Sequence, residues 1–264
     1  MKTPGAISLR EGVLETAWWG DPARDAPTLV LLHEGLGCVE LWRDVPELLA
    51  EKTGCSVFAY SRFGYGRSDP TPLPRPLDYM QIEATEILPR VLHEANIRQA
   101  ILLGHSDGGS IAAVYAGAHP DSPILVGLVT ISAHFFVEPV NIRSIEQIRR
   151  EYETTDLRSR LARYHDDVDV AFYGWNGAWL EPGFRSFDIT GFLPDITVPV
   201  LGLQGEQDPY GTDEQLRVMA AMVKSPIRTA LIPHARHSPL LEAKDTTLTA
   251  IAEFIAELPG GPWA

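Results

Sequence analysis

The sequence predicts an α/β fold in which a mostly parallel, doubly wound sheet carries one helical insertion. Short apolar runs such as Thr28–Leu32 alternate with segments of helical composition, a pattern typical of parallel strands buried on both faces. This alternation stops after about residue 133 and resumes near residue 196. We therefore assign residues 1–133 and 196–264 to a core, and residues 134–195 to a helical cap inserted into it.

The first part of the core is predicted to hold an opening hairpin, four further strands and the helices between them. Loose alternation of apolar and polar residues predicts the hairpin, and prolines at 70, 72, 74 and 76 keep the chain extended before a helix whose expected N-cap is Asp78. In chain order, the predicted elements are a hairpin at 6–19, a turn-rich link at 20–27, strands at 28–32 and 56–60 with a helix at 39–52 between them, a helix at 78–93, a strand at 101–104, a helix at 111–117 and a strand at 124–132.

The inserted cap and the last part of the core follow the same reasoning. Residues 134–195 are charged and aromatic, and the alternation of strands and helices stops there, which favours a helical insertion. The predicted elements are helical runs at 142–154 and 156–174, a strand at 198–204, a helix at 213–223, a strand at 228–232 and a last helix at 245–258.

A serine at a sharp turn between a strand and a helix is the most informative local feature. The apolar run ends in Gly104-His105-Ser106-Asp107-Gly108, and an alanine-rich segment follows. A serine held in strained backbone geometry needs very small neighbours, and Gly104 and Gly108 each lie two positions from Ser106. The N–H groups at the start of the following helix favour a developing negative charge. The pattern predicts that Ser106 is a nucleophile.

Partners for this serine follow two later strands. Serine is a weak nucleophile and needs a base that is itself oriented by an acid. Asp208 and His237 each lie in the loop that follows a predicted strand, so both fall at the carboxyl edge of the sheet, where sites assemble. The order Ser106, Asp208, His237 is the order that accompanies this type of turn. Alternatives for the two partner roles are His234 as the base and Glu206 or Asp213 as the acid.

These motifs resemble those of a known family. The pentapeptide at 104–108, the Gly-x-x-Asp turn that ends at Asp208 and the His-Ser-Pro that begins at His237 are similar to the α/β-hydrolase superfamily, in particular its capped esterases and C–C hydrolases. The resemblance covers nearly the whole chain and implies the α/β-hydrolase fold. It implies Ser106 as nucleophile, His237 as general base and Asp208 as the acid that orients the base.

The resemblance also implies two backbone N–H donors for an oxyanion. One is the N–H of Asp107, and the second comes from the loop that begins at His33, which we expect to be a structural, hydrogen-bonded residue. Gly35 aligns with the usual donor, or Leu36 if the loop is shifted by one residue. Glu34 occupies a position that is usually glycine, and we expect it either to contact substrate near the site or to face solvent or pair with an arginine.

Aromatic residues of the predicted cap indicate where substrate choice arises. Trp175 and Trp179 are spaced to share one helical face, and Phe135 and Phe136 stand at the entry to the cap. We expect these side chains to line an apolar pocket above Ser106, to anchor the cap to the core, or to do both.

Composition and charge exclude several classes of function. The 264 residues are 45% hydrophobic, as in a globular protein with a large core, and their net charge of −13 disfavours nucleic acid as a partner. Cys38 and Cys55 form no zinc or disulfide framework, and no dinucleotide or phosphate-binding glycine pattern occurs, so we expect no metal and no cofactor. With no apolar leader and no membrane-length apolar run, the chain is expected to be a cytoplasmic monomer or small homo-oligomer that acts on a small molecule and not at a membrane.

The predicted function is that of a cofactor-independent serine hydrolase. Ser106 would form an acyl-enzyme with a carboxylic ester, lactone or thioester of a small, partly apolar substrate. One alternative is hydrolysis of a C–C bond in a dienoic β-diketone-like acid, which predicts a basic residue in the pocket for the substrate carboxylate. Another is a small-molecule binding or sensing protein without turnover, because a fold alone does not establish catalysis.

Overall fold

The computed structural model describes residues 1–22 and 26–259; positions 23–25 of the predicted turn-rich link and positions 260–264 of the predicted core lie outside the described residues. The described chain forms one eight-stranded sheet. Its strands are β1 (Lys2–Leu9), β2 (Gly12–Trp19), β3 (Thr28–Leu32), β4 (Ser56–Tyr60), β5 (Ala100–His105), β6 (Leu125–Ile131), β7 (Val200–Gly205) and β8 (Ile227–Ile232).

The strand order is β1-β2-β4-β3-β5-β6-β7-β8. The β1–β2 hairpin and the β2–β4 pair are antiparallel, whereas every later pair is parallel. The predicted mostly parallel α/β sheet is therefore confirmed. Because β3, β5, β7 and β8 run in one direction, the loops that follow them meet at the same edge of the sheet.

Helices cover the sheet and fill the insertion. Within residues 1–22 and 26–259, no helix is long and apolar enough to cross a membrane. The helices are α1 (Val45–Thr53), α2 (Tyr79–Ile82), α3 (Leu88–Glu94), α4 (Asp107–Ala118), α5 (Pro139–Thr154), α6 (Leu157–Leu161), α7 (Val168–Leu180), α8 (Glu214–Met222), α9 (Pro239–Glu242) and α10 (Lys244–Ala256). Residues 134–195, which we call the inserted segment, contain α5, α6 and α7, followed by two 3₁₀ turns.

Two predicted helices are wrong as single helices. In the first, the chain forms a 3₁₀ turn at Val39–Trp42, Arg43 takes a φ of 54°, and α1 begins only at Val45. A left-handed residue interrupts helical hydrogen bonding. The run at 156–174 likewise divides into α6 and α7, because the Asp167 side chain accepts a hydrogen bond from the backbone N–H of Val170 at 2.9 Å and starts a new helix.

A third predicted helix, at 78–93, is present but irregular. It consists of α2, a π-helical turn at Glu83–Ile87 and α3. Pro89 stands in the first turn of α3 and has no N–H to donate to the preceding turn, which accounts for the wider turn there. Asp78 flanks the helix as predicted, but its side chain makes no capping hydrogen bond.

The core lies on both faces of the sheet. In β3, Val30 and Leu32 pack with α3 and α4 on one face, whereas Leu29 and Leu31 pack with α1 and α10 on the other. Alternate residues of a strand face opposite sides, so one apolar run supplies both layers. Every residue of β3, β4 and β5 is buried. These buried strands support the loops at the carboxyl edge of the sheet.

Candidate active site

Ser106 lies at the turn between β5 and α4. Its backbone has φ 53° and ψ −121°, a conformation that L residues rarely adopt. A Cβ atom added to Gly104 would lie 2.1 Å from the carbonyl oxygen of Gly108, and one added to Gly108 would lie 1.9 Å from the carbonyl oxygen of Leu32. Glycine is therefore required on both sides, because the backbones of the turn and of β3 approach too closely for any side chain.

Ser106 is joined to His237 and Asp208 by hydrogen bonds. Ser106 Oγ lies 3.0 Å from His237 Nε2, and His237 Nδ1 lies 2.9 and 3.0 Å from the two carboxylate oxygens of Asp208. Asp208 follows β7 and His237 follows β8, so three parallel strands deliver these side chains to one point. The backbone N–H of Tyr210 also donates to Asp208 Oδ1, at 2.8 Å.

The Asp208 carboxylate is held in its ionised form. Its side chain is 1% exposed, and burial alone would raise its pKa. The charge and hydrogen bond of His237 outweigh burial, so the pKa of Asp208 is lowered below its usual value. An ionised Asp208 accepts from His237 Nδ1–H, which leaves His237 Nε2 able to accept the proton of Ser106.

The alternative base and acids lie elsewhere. His234 is exposed, and its backbone N–H, not its ring, donates to Glu206 at 3.4 Å. Asp213 pairs with Arg217 on the surface at 3.3 Å. None of these three side chains contacts the hydrogen-bonded series that begins at Ser106.

The loop at 33–37 follows β3, and side chains hold it by donating hydrogen bonds to its carbonyl oxygens. The Glu34 carbonyl accepts from His33 Nδ1 at 2.7 Å, from Arg62 at 3.0 Å and from the Gly37 N–H at 3.1 Å. Arg62 also binds the His33 carbonyl, and the Arg62 N–H donates to His33 Nε2 at 3.1 Å. Burial, together with the charge of Arg62, holds the pKa of His33 well below its usual value, so the ring is neutral and makes both bonds.

The residues whose backbone N–H groups are expected to bind an oxyanion line the same cavity as Ser106. Asp107 is the first residue of α4, and Gly35 and Leu36 belong to the 33–37 loop. Among the described residues, nothing accepts a hydrogen bond from the N–H of these three residues. They therefore remain available to a substrate oxygen.

The cavity above Ser106 has a volume of about 220 Å³. Trp175 and Trp179 of α7 line it and are 7% and 2% exposed, so they both shape the cavity and pack into the core. Its lining includes no lysine or arginine from the part of the chain that the structure describes. The lining residues are Glu34, Gly35, Leu36, Ser106, Asp107, His134, Asn141, Ile145, Trp175, Trp179, Tyr210, His237 and Ser238.

Glu34 faces this cavity and pairs with a histidine rather than with an arginine. Its carboxylate lies 3.7 Å from His105 Nδ1, and His105 Nε2 lies 2.7 Å from the carbonyl oxygen of His237. Burial would raise the pKa of Glu34 and lower that of His105, but their mutual attraction outweighs burial: the pKa of Glu34 is lowered and that of His105 is raised. Arg62 contacts only the backbone of Glu34.

The Asp107 side chain joins the turn at Ser106 to the inserted segment. Tyr79 Oη donates to Asp107 Oδ2 at 2.5 Å, and Trp179 Nε1 donates to Tyr79 Oη at 3.2 Å. Asp107 is 1% exposed. This chain of hydrogen bonds orients Trp179 over the start of α4.

The expectation that Phe135 and Phe136 line the pocket requires correction, because neither residue lines the cavity. Gln215 of α8 binds the backbone on both sides of Phe135, accepting from its N–H at 2.8 Å and donating to the Phe136 carbonyl at 3.1 Å. This places Phe135 in the core at 1% exposure, while Phe136 forms a β-bridge with Asp188.

Sequence reasoning missed several cavity residues. Tyr210 and Ser238 stand next to the predicted acid and base, so their proximity along the chain could have identified them. Asn141 and Ile145 are four residues apart on α5 and share one face, a spacing visible in the sequence. His134 follows β6, the strand beside β5, and burial lowers its pKa, so the ring is neutral.

Across residues 1–22 and 26–259, no group of three or more His, Cys, Asp or Glu side chains is arranged to hold a metal ion.

Comparisons with known proteins agree with the fold of this chain. A sequence model of the alpha/beta hydrolase family matches residues 29–250. The chain is 27% identical over 237 residues to a bifunctional esterase/perhydrolase of Acinetobacter calcoaceticus, covering 77% of this chain and 82% of that protein. The esterase relative supports a hydrolytic activity for this chain.

Two solved structures share the fold. An enol-lactonase from Burkholderia xenovorans superposes with a TM-score of 0.75 at 18% identity, covering 96% of this chain and 100% of the other. A 2-hydroxy-6-oxo-6-phenylhexa-2,4-dienoate hydrolase from a Rhodococcus species superposes with a TM-score of 0.71 at 18% identity. Because the sequence match spans most of the chain and the fold agrees with it, this chain belongs to the alpha/beta hydrolase family.

Proposed function

We propose that this chain is a serine hydrolase that cleaves a carboxylic ester, lactone or thioester of a small, partly apolar substrate through an acyl-enzyme on Ser106. The observation that carries the proposal is the continuous hydrogen-bond series from Ser106 through His237 to Asp208 beside a cavity. A serine hydroxyl becomes a nucleophile at neutral pH only with a base oriented in this way. The esterase activity named for the Acinetobacter relative is consistent with it.

In the proposed reaction, Ser106 Oγ attacks the acyl carbon while His237 Nε2 takes the hydroxyl proton. Asp208 stabilises the imidazolium that forms, and the substrate oxygen, now an oxyanion, accepts from two backbone N–H groups. His237 then protonates the leaving oxygen or sulfur, and the acyl group stays on Ser106. A water molecule, deprotonated by His237 in turn, attacks the acyl carbon. The bond between the acyl carbon and Ser106 Oγ then breaks, His237 returns the proton to Oγ, and the acid is released.

We assign the two oxyanion donors to Asp107 and Gly35. The N–H of Gly35 belongs to the same peptide group as the Glu34 carbonyl, and in a trans peptide these two groups point in opposite directions. Three donors fix the Glu34 carbonyl on one side, so the Gly35 N–H is directed to the other side. The peptide group that contains the Leu36 N–H has no such anchor among the described residues, which favours Gly35 over Leu36.

The cavity favours an uncharged substrate. Two of its described lining residues, Glu34 and Asp107, carry carboxylates, and none is a lysine or arginine. A dienoic acid substrate would bring its own carboxylate into this cavity without a strong cation to receive it. The geometry therefore supports ester hydrolysis and does not favour C–C bond hydrolysis.

Turnover of short p-nitrophenyl esters, with intact-protein mass spectrometry after a fluorophosphonate probe, tests the proposal. We expect hydrolysis of the acetate and butyrate esters and the addition of one probe per chain. Short acyl groups are the better substrates, because a cavity of about 220 Å³ holds few atoms beyond the reacting group. Folded protein that neither turns over these esters nor reacts with the probe would favour the binding-protein alternative.

The charge of Glu34 is expected to select against anionic acyl groups. We predict that the chain prefers p-nitrophenyl butyrate over the similarly sized mono-p-nitrophenyl succinate, and that Glu34→Gln reduces this preference by about 5- to 30-fold. A repulsion of about 1–2 kcal/mol between two carboxylates in a partly screened site corresponds to such a factor. The measurement is the ratio of kcat/KM for the two esters.

Glu181→Gln is the matched control for Glu34→Gln. Glu181 is exposed at the end of α7, does not line the cavity, and its replacement changes the net charge by the same amount. We expect the wild-type preference in this variant. An equal loss of preference in both variants would mean that the net charge of the protein, not Glu34, repels anionic substrates.

A further inference from the structure

A histidine of the inserted segment connects two loops of the core. His165, between α6 and α7, is 2% exposed. Its Nδ1 accepts a hydrogen bond from the backbone N–H of Gly66 at 2.9 Å, and its Nε2 lies 3.0 Å from the carbonyl oxygen of Leu36. Both ring nitrogens are therefore occupied, one by each loop.

These two contacts define the protonation state of the ring. Because the Gly66 N–H is a donor, His165 Nδ1 accepts and carries no proton, so Nε2 carries the proton and donates to Leu36. Burial lowers the pKa of His165 and outweighs the opposing effect of the Leu36 carbonyl, which keeps the ring neutral. A neutral ring is the only form that makes both bonds.

The inserted segment contacts the 33–37 loop at a second point. A Cβ atom added to Gly35 would lie 2.1 Å from Trp175 Nε1, so the indole of Trp175 lies directly against the Gly35 backbone. Trp175 thus contacts Gly35, whose N–H we assign to the oxyanion, and His165 binds the carbonyl of the next residue, Leu36. The two contacts flank the proposed donor.

In the first half of this loop, the side chains that bind the carbonyl oxygens belong to the core. Arg62 binds the carbonyl oxygens of His33 and Glu34, and His33 binds that of Glu34. The Leu36 carbonyl is bound by His165 instead. Arg62 and His33 of the core thus hold the first half of the loop. His165 of the inserted segment holds the Leu36–Gly37 peptide group, whose N–H donates to the Glu34 carbonyl.

We propose that His165 is a positioning residue that holds the second half of the 33–37 loop, and that through it the seating of the inserted segment controls the oxyanion site. The catalytic consequence rests on the proposed function, whereas the mechanical link between the segment and the loop does not. His165 touches neither Ser106 nor the cavity in the structure, so it acts only through the loop.

Three substitutions separate the two hydrogen bonds of His165. His165→Leu removes both, His165→Asn places an amide near the position of Nδ1 and keeps the bond to Gly66, and His165→Gln places an amide near Nε2 and keeps the bond to Leu36. We expect kcat for p-nitrophenyl butyrate to fall about 10- to 100-fold in the Leu and Asn variants, with KM within about threefold. Removing one oxyanion donor outright costs about 100- to 1000-fold, so a displaced donor costs less. The Gln variant should retain most of the activity.

Arg67→Gln is the matched control for the attachment of the inserted segment. Arg67 forms an ion pair with Asp166, the neighbour of His165, and donates to the Arg163 carbonyl at 3.3 Å, but it makes no contact with the 33–37 loop. We expect wild-type kcat and KM. If His165 merely anchored the segment, the Arg67→Gln and His165→Asn variants would lose activity to a similar degree.

Hydrogen–deuterium exchange of the 33–37 loop tests the mechanical link without any need for turnover. The Gly37 N–H is protected by its bond to the Glu34 carbonyl, and we expect its exchange to become at least about tenfold faster in His165→Leu and His165→Asn. Exchange in His165→Gln and Arg67→Gln should match the wild type. Unchanged exchange in His165→Asn would overturn the inference even in a protein that hydrolyses esters. Faster exchange in a protein that does not would support the link and contradict only the proposed function.

Discussion

Ser106→Ala is expected to lower kcat/KM for p-nitrophenyl butyrate by about 10⁴- to 10⁶-fold. The variant loses the atom that bonds to the acyl carbon, so neither attack nor an acyl-enzyme is possible on this side chain. The fluorophosphonate adduct should disappear in the same variant. Both are measured on one preparation, by absorbance of released p-nitrophenolate and by intact mass.

Alanine is the appropriate replacement because it preserves the strained backbone conformation at this turn. Ser106 has a φ of 53°, and alanine keeps the Cβ atom and therefore the strain. Glycine would relieve that strain and change stability together with chemistry. We expect a melting temperature close to that of the wild type in Ser106→Ala. Turnover above about 1% of wild type in the folded variant would reject Ser106 as the nucleophile.

His237→Asn is expected to lower kcat/KM by a similar factor of about 10⁴- to 10⁶-fold, because the proton of Ser106 then has no acceptor. Asparagine is polar and smaller, so it removes the base without adding an apolar group at the edge of the cavity. KM should change little, since His237 acts on the reacting atoms and not on the rest of the substrate. The measurement is steady-state kinetics with p-nitrophenyl butyrate.

His234→Asn provides a control three residues away on the same loop. His234 is exposed and has a φ of 62°, which asparagine tolerates well. We expect kcat/KM within about twofold of the wild type. A large loss in His234→Asn with activity retained in His237→Asn would exchange the roles of the two histidines, contrary to the 3.0 Å contact between His237 and Ser106.

The positions of the buried strands and the turn at Ser106 could be predicted from the sequence because each has a local cause. A run such as Thr28–Leu32 is apolar throughout because both faces of a parallel sheet are covered. Gly104 and Gly108 are required by close contacts of the backbone around Ser106, so their spacing alone marks the turn. Three parallel strands bring residues that follow them to one edge, which makes chain order informative about Asp208 and His237.

Helix boundaries in irregular regions were less accessible. A left-handed residue at Arg43 and a side-chain cap at Asp167 divide two segments whose composition suits a continuous helix. Arginine and aspartate also occur within helices, so the residue type alone does not mark these breaks. Both breaks depend on how the neighbouring chain packs. Composition therefore overestimates helix length at such positions.

The directions of the side chains at the start of the inserted segment could not be predicted from the sequence. Phe135 and Phe136 are adjacent aromatic residues without a helical or strand period to orient them. Gln215, which lies 80 positions beyond Phe135, binds the backbone of Phe135 and Phe136, and the Phe135 side chain is thereby directed into the core.

By itself, the sequence determined the α/β class, the strand-turn-helix around Ser106 and the candidates for its partners, because these depend on periodicity, glycine sterics and chain order. Only the tertiary structure decided which groups meet: the side chains of Glu34 and His105, those of Tyr79 and Asp107, and the His165 ring with the Leu36 carbonyl. Each of these pairs joins residues that are 28 or more positions apart in the printed numbering. Such contacts leave no pattern in a single sequence, because they depend on how separate elements pack and on the directions in which their side chains then point.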